Sequence, residues 1–143
     1  MTTVFTCGVF DLFHAGHLDF LQRARALGDV LIVGVNGDEY VRRTRGPGRP
    51  LYPLRERMAL LAALECVTRV IPFSGDDPCD LIRHLKPDIV AKGDEYTHEN
   101  APEAALIEQL GGRFVTLESL PIHGRDILSR ISPEEFAAIQ TEL

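Results

Sequence analysis

Five apolar runs of strand length recur along this chain: VFTC at 4–7, VLIVGV at 30–35, VTRVIPF at 67–73, DIVA at 88–91 and RFVTL at 113–117. None alternates strictly between apolar and polar residues, so each is expected to be a strand covered on both faces. Helical patterns lie between them. Leu18, Leu21, Ala24 and Leu27 recur every three residues and stop at Gly28. Met58, Leu61 and Ala62 continue a second helix after Pro53, and Asp77-Pro78 opens a third, with Leu81, Ile82 and Leu85 as its core stripe. A fourth runs from about Pro102 to Leu110 and ends at Gly111-Gly112, and Ser132-Pro133-Glu134-Glu135 is a capping-box pattern for a short terminal helix. Strand and helix alternating in this way predict an α/β fold with a mostly parallel five-stranded sheet and helices on both faces. Residues 1–143 are expected to form one domain.

The rest of the composition narrows the function classes. Apolar residues make up 45% and charged residues 25%, a globular balance. No apolar run is long enough to cross a bilayer, and MTTVFT carries no signal-like pattern, so a soluble cytoplasmic protein with no membrane partner is expected. The 3 cysteines are widely spaced, which favours neither a disulfide framework nor a zinc ribbon. A net charge of −6 argues against a nucleic-acid partner. Positive charge is nevertheless concentrated: Arg42, Arg43, Arg45, Arg49, Arg55 and Arg57 fall close together in and around a Pro/Gly-rich stretch at 43–53, which is expected to be a loop. A local basic patch on an acidic protein suits a small anionic ligand, although Arg42 and Arg43 read as a solvated face.

The first strand leads into GVFDLFHAGH, residues 8–17. Ligands of parallel α/β sheets bind beyond the carboxyl ends of the strands, and a helix N-terminus offers free N–H groups to an anion. Gly8 allows close approach of the backbone to a ligand. His14 and His17, three apart across that helix start, can each donate to a phosphate oxygen, more strongly when protonated. Two histidines at this spacing could also ligate a metal, but no third ligand accompanies them in a motif. A G-x-G-x-x-G fingerprint and a Gly-Lys-Ser/Thr phosphate loop are both absent.

His14-Ala15-Gly16-His17, preceded by Gly8-Val9-Phe10-Asp11, resembles the H-x-G-H signature of the cytidylyltransferase-like nucleotidyltransferases, which have a Rossmann-like fold. ALGDVLIVGVNGDEY resembles that family's second strand and the acidic turn after it. RGPGRPLYPLRERMALLAAL resembles the arginine-bearing loop and helix of the adenylyltransferase domain that makes ADP-heptose, and DIVAKGDEY resembles a strand end of glycerol-3-phosphate cytidylyltransferase. The likeness runs to about Ile131. It implies transfer of a nucleoside monophosphate from a nucleoside triphosphate to an acceptor phosphate, with pyrophosphate leaving and Mg²⁺ offsetting the triphosphate charge. His14, His17 and Arg45 then serve catalysis. Gly8, Phe10, Asp11, Gly16, Arg57, Lys92, Gly93, Asp94 and Tyr96 bind the nucleotide. Asp11 also faces the acceptor with Arg49, which either reaches a phosphate or shapes its loop. The turn Lys92-Gly93-Asp94-Glu95-Tyr96 favours CTP; the loop over residues 36–65 favours the alternative, ATP with a heptose 1-phosphate. By resemblance the chain is expected to form a homodimer.

One segment departs from the pattern. Where the family carries Ile-Ser-Thr-Thr, this chain reads Ile122-His123-Gly124-Arg125-Asp126. Arginine holds a carboxylate or phosphate bidentately, as serine cannot. His123, Gly124 and Arg125 are therefore expected to read a compact, charged acceptor, such as a phosphonate bearing a carboxylate. A nucleotide-binding module without turnover is the competing class. A metal-dependent hydrolase would need more ligands than the sequence offers.

Overall fold

The computed structural model describes residues 1–130 and Glu134. Strands β1 (Thr3–Gly8), β2 (Val30–Asn36), β3 (Arg69–Phe73), β4 (Ile89–Gly93) and β5 (Arg113–Leu117) form one sheet in the order β3-β2-β1-β4-β5. Every pairing is parallel, so the sheet is wholly and not mostly parallel. The helices are α1 (Ala15–Arg25), α2 (Asp38–Arg45), α3 (Leu54–Ala62), α4 (Cys79–Leu85), α5 (Pro102–Gln109) and α6 (Gly124–Leu128). The helix expected at 132–135 lies outside the described residues, Glu134 excepted.

Side chains of the strands divide between two cores. Val4, Leu31, Val33, Ile89 and Ala91 pack with Leu21 and Ala24 of α1 and Leu61 of α3. Phe5, Ile32 and Val90 pack on the other face with Ile82 of α4 and Ile107 of α5. Burial on both faces removes polar alternation from the central strands, and β4 is buried along its whole length. The expectation of full cover fails for the edge strands β3 and β5, each of which has exposed residues at its first and fourth positions.

The helix α2 was not expected, because prolines and glycines dominate the stretch that follows it. Asp38 and Glu39 in its first turn and Arg42, Arg43 and Arg45 in its last complement the helix dipole. Gly46, at φ +100°, ends it, so the loop begins three residues later than the sequence indicates.

The strand order places the reversal of winding between β1 and β4. There the connections leave the sheet in opposite directions and open a crevice at the carboxyl ends of the strands.

Candidate active site

A cavity of about 920 Å³ fills that crevice, and every candidate residue named from the sequence lines it except Arg57. Three stretches converge: the turn from Gly8 to His17, the end of β4 with Lys92, Gly93, Asp94 and Tyr96, and the segment before α6 with His123, Gly124 and Arg125. Arg45 and Arg49 border it from the end of α2 and the following loop.

The H-x-G-H stretch is a helix cap built from imidazoles. His14 is the N-cap of α1, and its Nδ1 accepts from the Gly16 amide at 3.1 Å. His17, three residues on, accepts at its own Nδ1 from the His14 amide at 3.2 Å. This is the reciprocal geometry usually made by Ser/Thr and Glu. The rings stack with centroids 3.8 Å apart, and Phe10 and Phe13 flank His17. Gly16 permits the arrangement, since a Cβ there would lie 2.9 Å from the His14 ring. Gly8 makes room in the same way for Phe10, whose φ of 49° turns the chain out of β1. Its first duty is thus to a neighbouring side chain.

Because each Nδ1 accepts an N–H bond, the proton of each neutral ring sits on Nε2. Burial holds His17 down to about 4, helped by the charges of His14 and Arg45. Burial and nearby His123 lower His14 as well. The two are therefore neutral Nε2–H donors at neutral pH in the unliganded site. The linkage sign follows. His17 stays unprotonated in the folded chain between its ordinary pKa of about 6.5 and about 4, whereas the unfolded chain takes up the proton. Stability contributed by His17 is complete above pH 6.5 and is lost as pH falls towards 4, by at most about 3 kcal/mol. Urea unfolding at pH 7 and pH 4.5 checks this. The wild type is expected to lose more stability than His17→Phe over that interval, and equal losses would contradict it.

Asp11 and Arg57 bind the chain itself. Asp11, only 4% exposed, accepts from Leu51 N at 2.7 Å, Tyr52 N at 2.9 Å and Arg49 Nε at 2.9 Å. Its carboxylate clasps the loop after α2 to the turn after β1, and Arg49 is half of that clasp. Arg57 is fully buried. It donates to Val9 O and Asn36 O at 2.8 Å, to Tyr52 O at 2.9 Å and to Asp38 Oδ1 at 2.6 Å. Arg57, expected to serve the nucleotide, does not line the cavity; its guanidinium ties the ends of β1 and β2 to α3. Arg43, expected to be solvated, pairs on the surface with Asp76.

On the far side of the cavity Ile122 packs against Gly16, and Leu12 lies beside Gly124. His123 occupies the N-cap position of α6, yet its imidazole makes no cap bond. Two wall residues escaped the sequence reading. Thr6 Oγ1 is buried without a partner among the described residues, and Glu103, 3% exposed, faces Lys92 with Nζ–Oε1 3.8 Å. Glu103 had a legible signal, an acid one turn before Ile107 on the apolar stripe of α5. Among the described residues no group of three or more His, Cys, Asp or Glu could hold a metal ion, and no helix is long and apolar enough to cross a membrane.

The comparisons with known proteins agree with this architecture. A profile described as cytidylyltransferase-like matches residues 5–132. D-beta-D-heptose 1-phosphate adenylyltransferase of Bordetella bronchiseptica is 49% identical over 115 residues, covering 80% of this chain and 71% of that protein. Bifunctional protein HldE of Syntrophotalea carbinolica is 50% identical over 117 residues, or 82% of this chain, but the match spans only 24% of that longer protein. Among solved structures, a lipopolysaccharide core biosynthesis protein from Thermoplasma volcanium superposes with a TM-score of 0.73 at 29% identity, covering 84% of this chain and 98% of that one. With a signature cap, a switch-point cavity and a family match over nearly its whole length, the chain belongs to the cytidylyltransferase-like family of nucleotidyltransferases.

Proposed function

We propose that this protein transfers the adenylyl group of ATP to a sugar 1-phosphate of the heptose class. The observation that carries the base and acceptor is the 49% identity to a D-beta-D-heptose 1-phosphate adenylyltransferase over most of both chains. It weighs against the preference for CTP that Gly93-Asp94-Glu95-Tyr96 gives when the sequence is read alone.

The chemistry suits the site. An oxygen of the acceptor phosphate attacks the α-phosphorus in line, the bond from that phosphorus to the β-bridging oxygen breaks, and pyrophosphate leaves with the electron pair. Catalysis then consists of positioning and of stabilising charge on phosphoryl oxygens. His14 and His17 supply parallel Nε2–H donors at the N-terminus of α1, and Arg45 adds a fixed positive charge beside them. Arg49, clasped by Asp11, keeps the loop that follows α2 over the cavity. The triphosphate would enter as its Mg²⁺ complex, and the ion would offset the triphosphate charge beside His14, His17 and Arg45.

Mass spectrometry of the product tests the reading. ATP with heptose 1-phosphate and Mg²⁺ is expected to yield a nucleoside diphosphate sugar and one equivalent of pyrophosphate. Failure with this pair and turnover with CTP and a carboxylate-bearing phosphonate would replace it. That second reading is favoured by Arg125 and His123, which border the cavity where the family pattern has hydroxyls. In that event Arg125→Ala should weaken the phosphonate about tenfold or more.

A further inference from the structure

We propose that Lys92 and Glu103 together form a recognition site for a vicinal diol, on the sugar ring bonded to one of the two reacting phosphates. This rests on the nucleotidyl-transfer reading above and assigns a role to Glu103, which no motif of the sequence singles out.

Both charges are buried, Lys92 7% and Glu103 3% exposed, and both line the cavity at the switch point. Glu103 is the poorly satisfied member of the pair. Among the described residues the Glu103 carboxylate accepts no hydrogen bond, and its nearest cation, Lys92 Nζ, stands 3.8 Å away. Lys92 Nζ reaches Cys7 O at 3.3 Å and Cys7 Sγ at 3.4 Å, and lies 4.2 Å from the centre of the Tyr96 ring. A buried pair serving stability alone gains by closing to hydrogen-bond distance, because a desolvated carboxylate without a donor is costly. Here the gap remains, with the cavity in front of it. The missing partner is a ligand group.

The pair presents a carboxylate acceptor beside an ammonium donor, and that decides the ligand's chemistry. A phosphate is repelled at Glu103, and an apolar ring leaves the Glu103 carboxylate without a hydrogen-bond donor. A hydroxyl both donates and accepts. One hydroxyl of a diol can donate to Glu103 while its neighbour accepts from Lys92. The position agrees. Lys92 ends β4 and Cys7 lies on β1, the strand that leads through Gly8 into the histidine cap, so the pair stands one strand away from the phosphate seat. A sugar ring attached to a reacting phosphate reaches that distance. Two sugars qualify, the ribose of the nucleotide and the ring of the acceptor.

Calorimetric titration of the full chain in Mg²⁺ distinguishes them. One series uses ATP, 2′-deoxy-ATP and 3′-deoxy-ATP. The other uses mannose 1-phosphate and 2-deoxyglucose 1-phosphate. In one series the wild type is expected to lose about 10- to 100-fold in affinity when the hydroxyl is removed. Glu103→Gln should weaken the hydroxylated ligand by a similar factor, leave the deoxy ligand unchanged and so abolish the discrimination. The double variant Lys92→Met/Glu103→Leu removes both charges, avoids stranding either one, and should behave likewise. Equal affinity for hydroxylated and deoxy ligands in both series overturns the inference, as does discrimination retained in both variants. Failure of the wild type to bind either ATP or mannose 1-phosphate overturns it together with the reading on which it rests. Discriminating binding without pyrophosphate release from any pair supports the diol site and rejects transfer.

Discussion

Replacing Arg57 with methionine is expected to destabilise the fold by about 3–5 kcal/mol, seen as a lower urea midpoint at unchanged slope. The side chain is fully buried and its guanidinium donates to three carbonyls and to Asp38. Methionine fills much of the same volume but donates nothing, so Val9 O, Asn36 O and Tyr52 O lose a charged donor in a dry environment. Arg57→Lys keeps the charge without the planar fork that reaches four acceptors, and should lose about half as much. Two strand ends and the start of α3 meet at this residue, so the loosening would spread to Phe10 and the histidine cap. The alternative role, contact with the nucleotide, predicts the opposite pattern. A variant of nearly normal stability with greatly weakened nucleotide binding would restore it.

The second large effect is expected in the cap. His14→Asn and His17→Asn place an amide oxygen near the former Nδ1, where it can still accept the backbone N–H, but they remove the Nε2–H donor. Each is expected to reduce kcat by about 10²–10³, the usual consequence of removing one donor to a developing oxyanion. KM should change less, because the donor matters most as charge builds on the phosphoryl oxygens. His→Gln, which can carry an amide N–H near the former Nε2 but abandons the cap, should lose activity and helix stability together. A loss below about tenfold for both asparagine variants, in steady-state kinetics, would mean that the imidazoles are structural.

Much of this was legible because local chemistry and tertiary role coincide. The five apolar runs became the five strands, since burial on both faces leaves its mark on every residue of a strand such as β4. The H-x-G-H turn was legible because His14, Gly16 and His17 act within one local helix cap set by four consecutive residues. The limits were equally physical. Arg57 looked like a ligand-facing arginine because sequence records a charge but not the direction of its side chain. The carbonyls that hold it, Val9 O, Asn36 O and Tyr52 O, come from three separate segments. Asp11 was expected at the reacting centre, yet its carboxylate is engaged by amides some forty residues away in sequence. Helix α2 was obscured by the Pro/Gly-rich stretch that follows it, whose influence begins only at Gly46. The preference for CTP rested on the side chains of a turn whose backbone can serve either base.

The central claim is that this cavity passes adenylyl, in preference to cytidylyl, to a sugar 1-phosphate. Pyrophosphate release with heptose 1-phosphate and Mg²⁺, in direct competition between equal ATP and CTP, tests it most directly. The account predicts product formed predominantly from ATP and absent without the sugar phosphate. Product formed predominantly from CTP, or no release from either nucleotide, would contradict it.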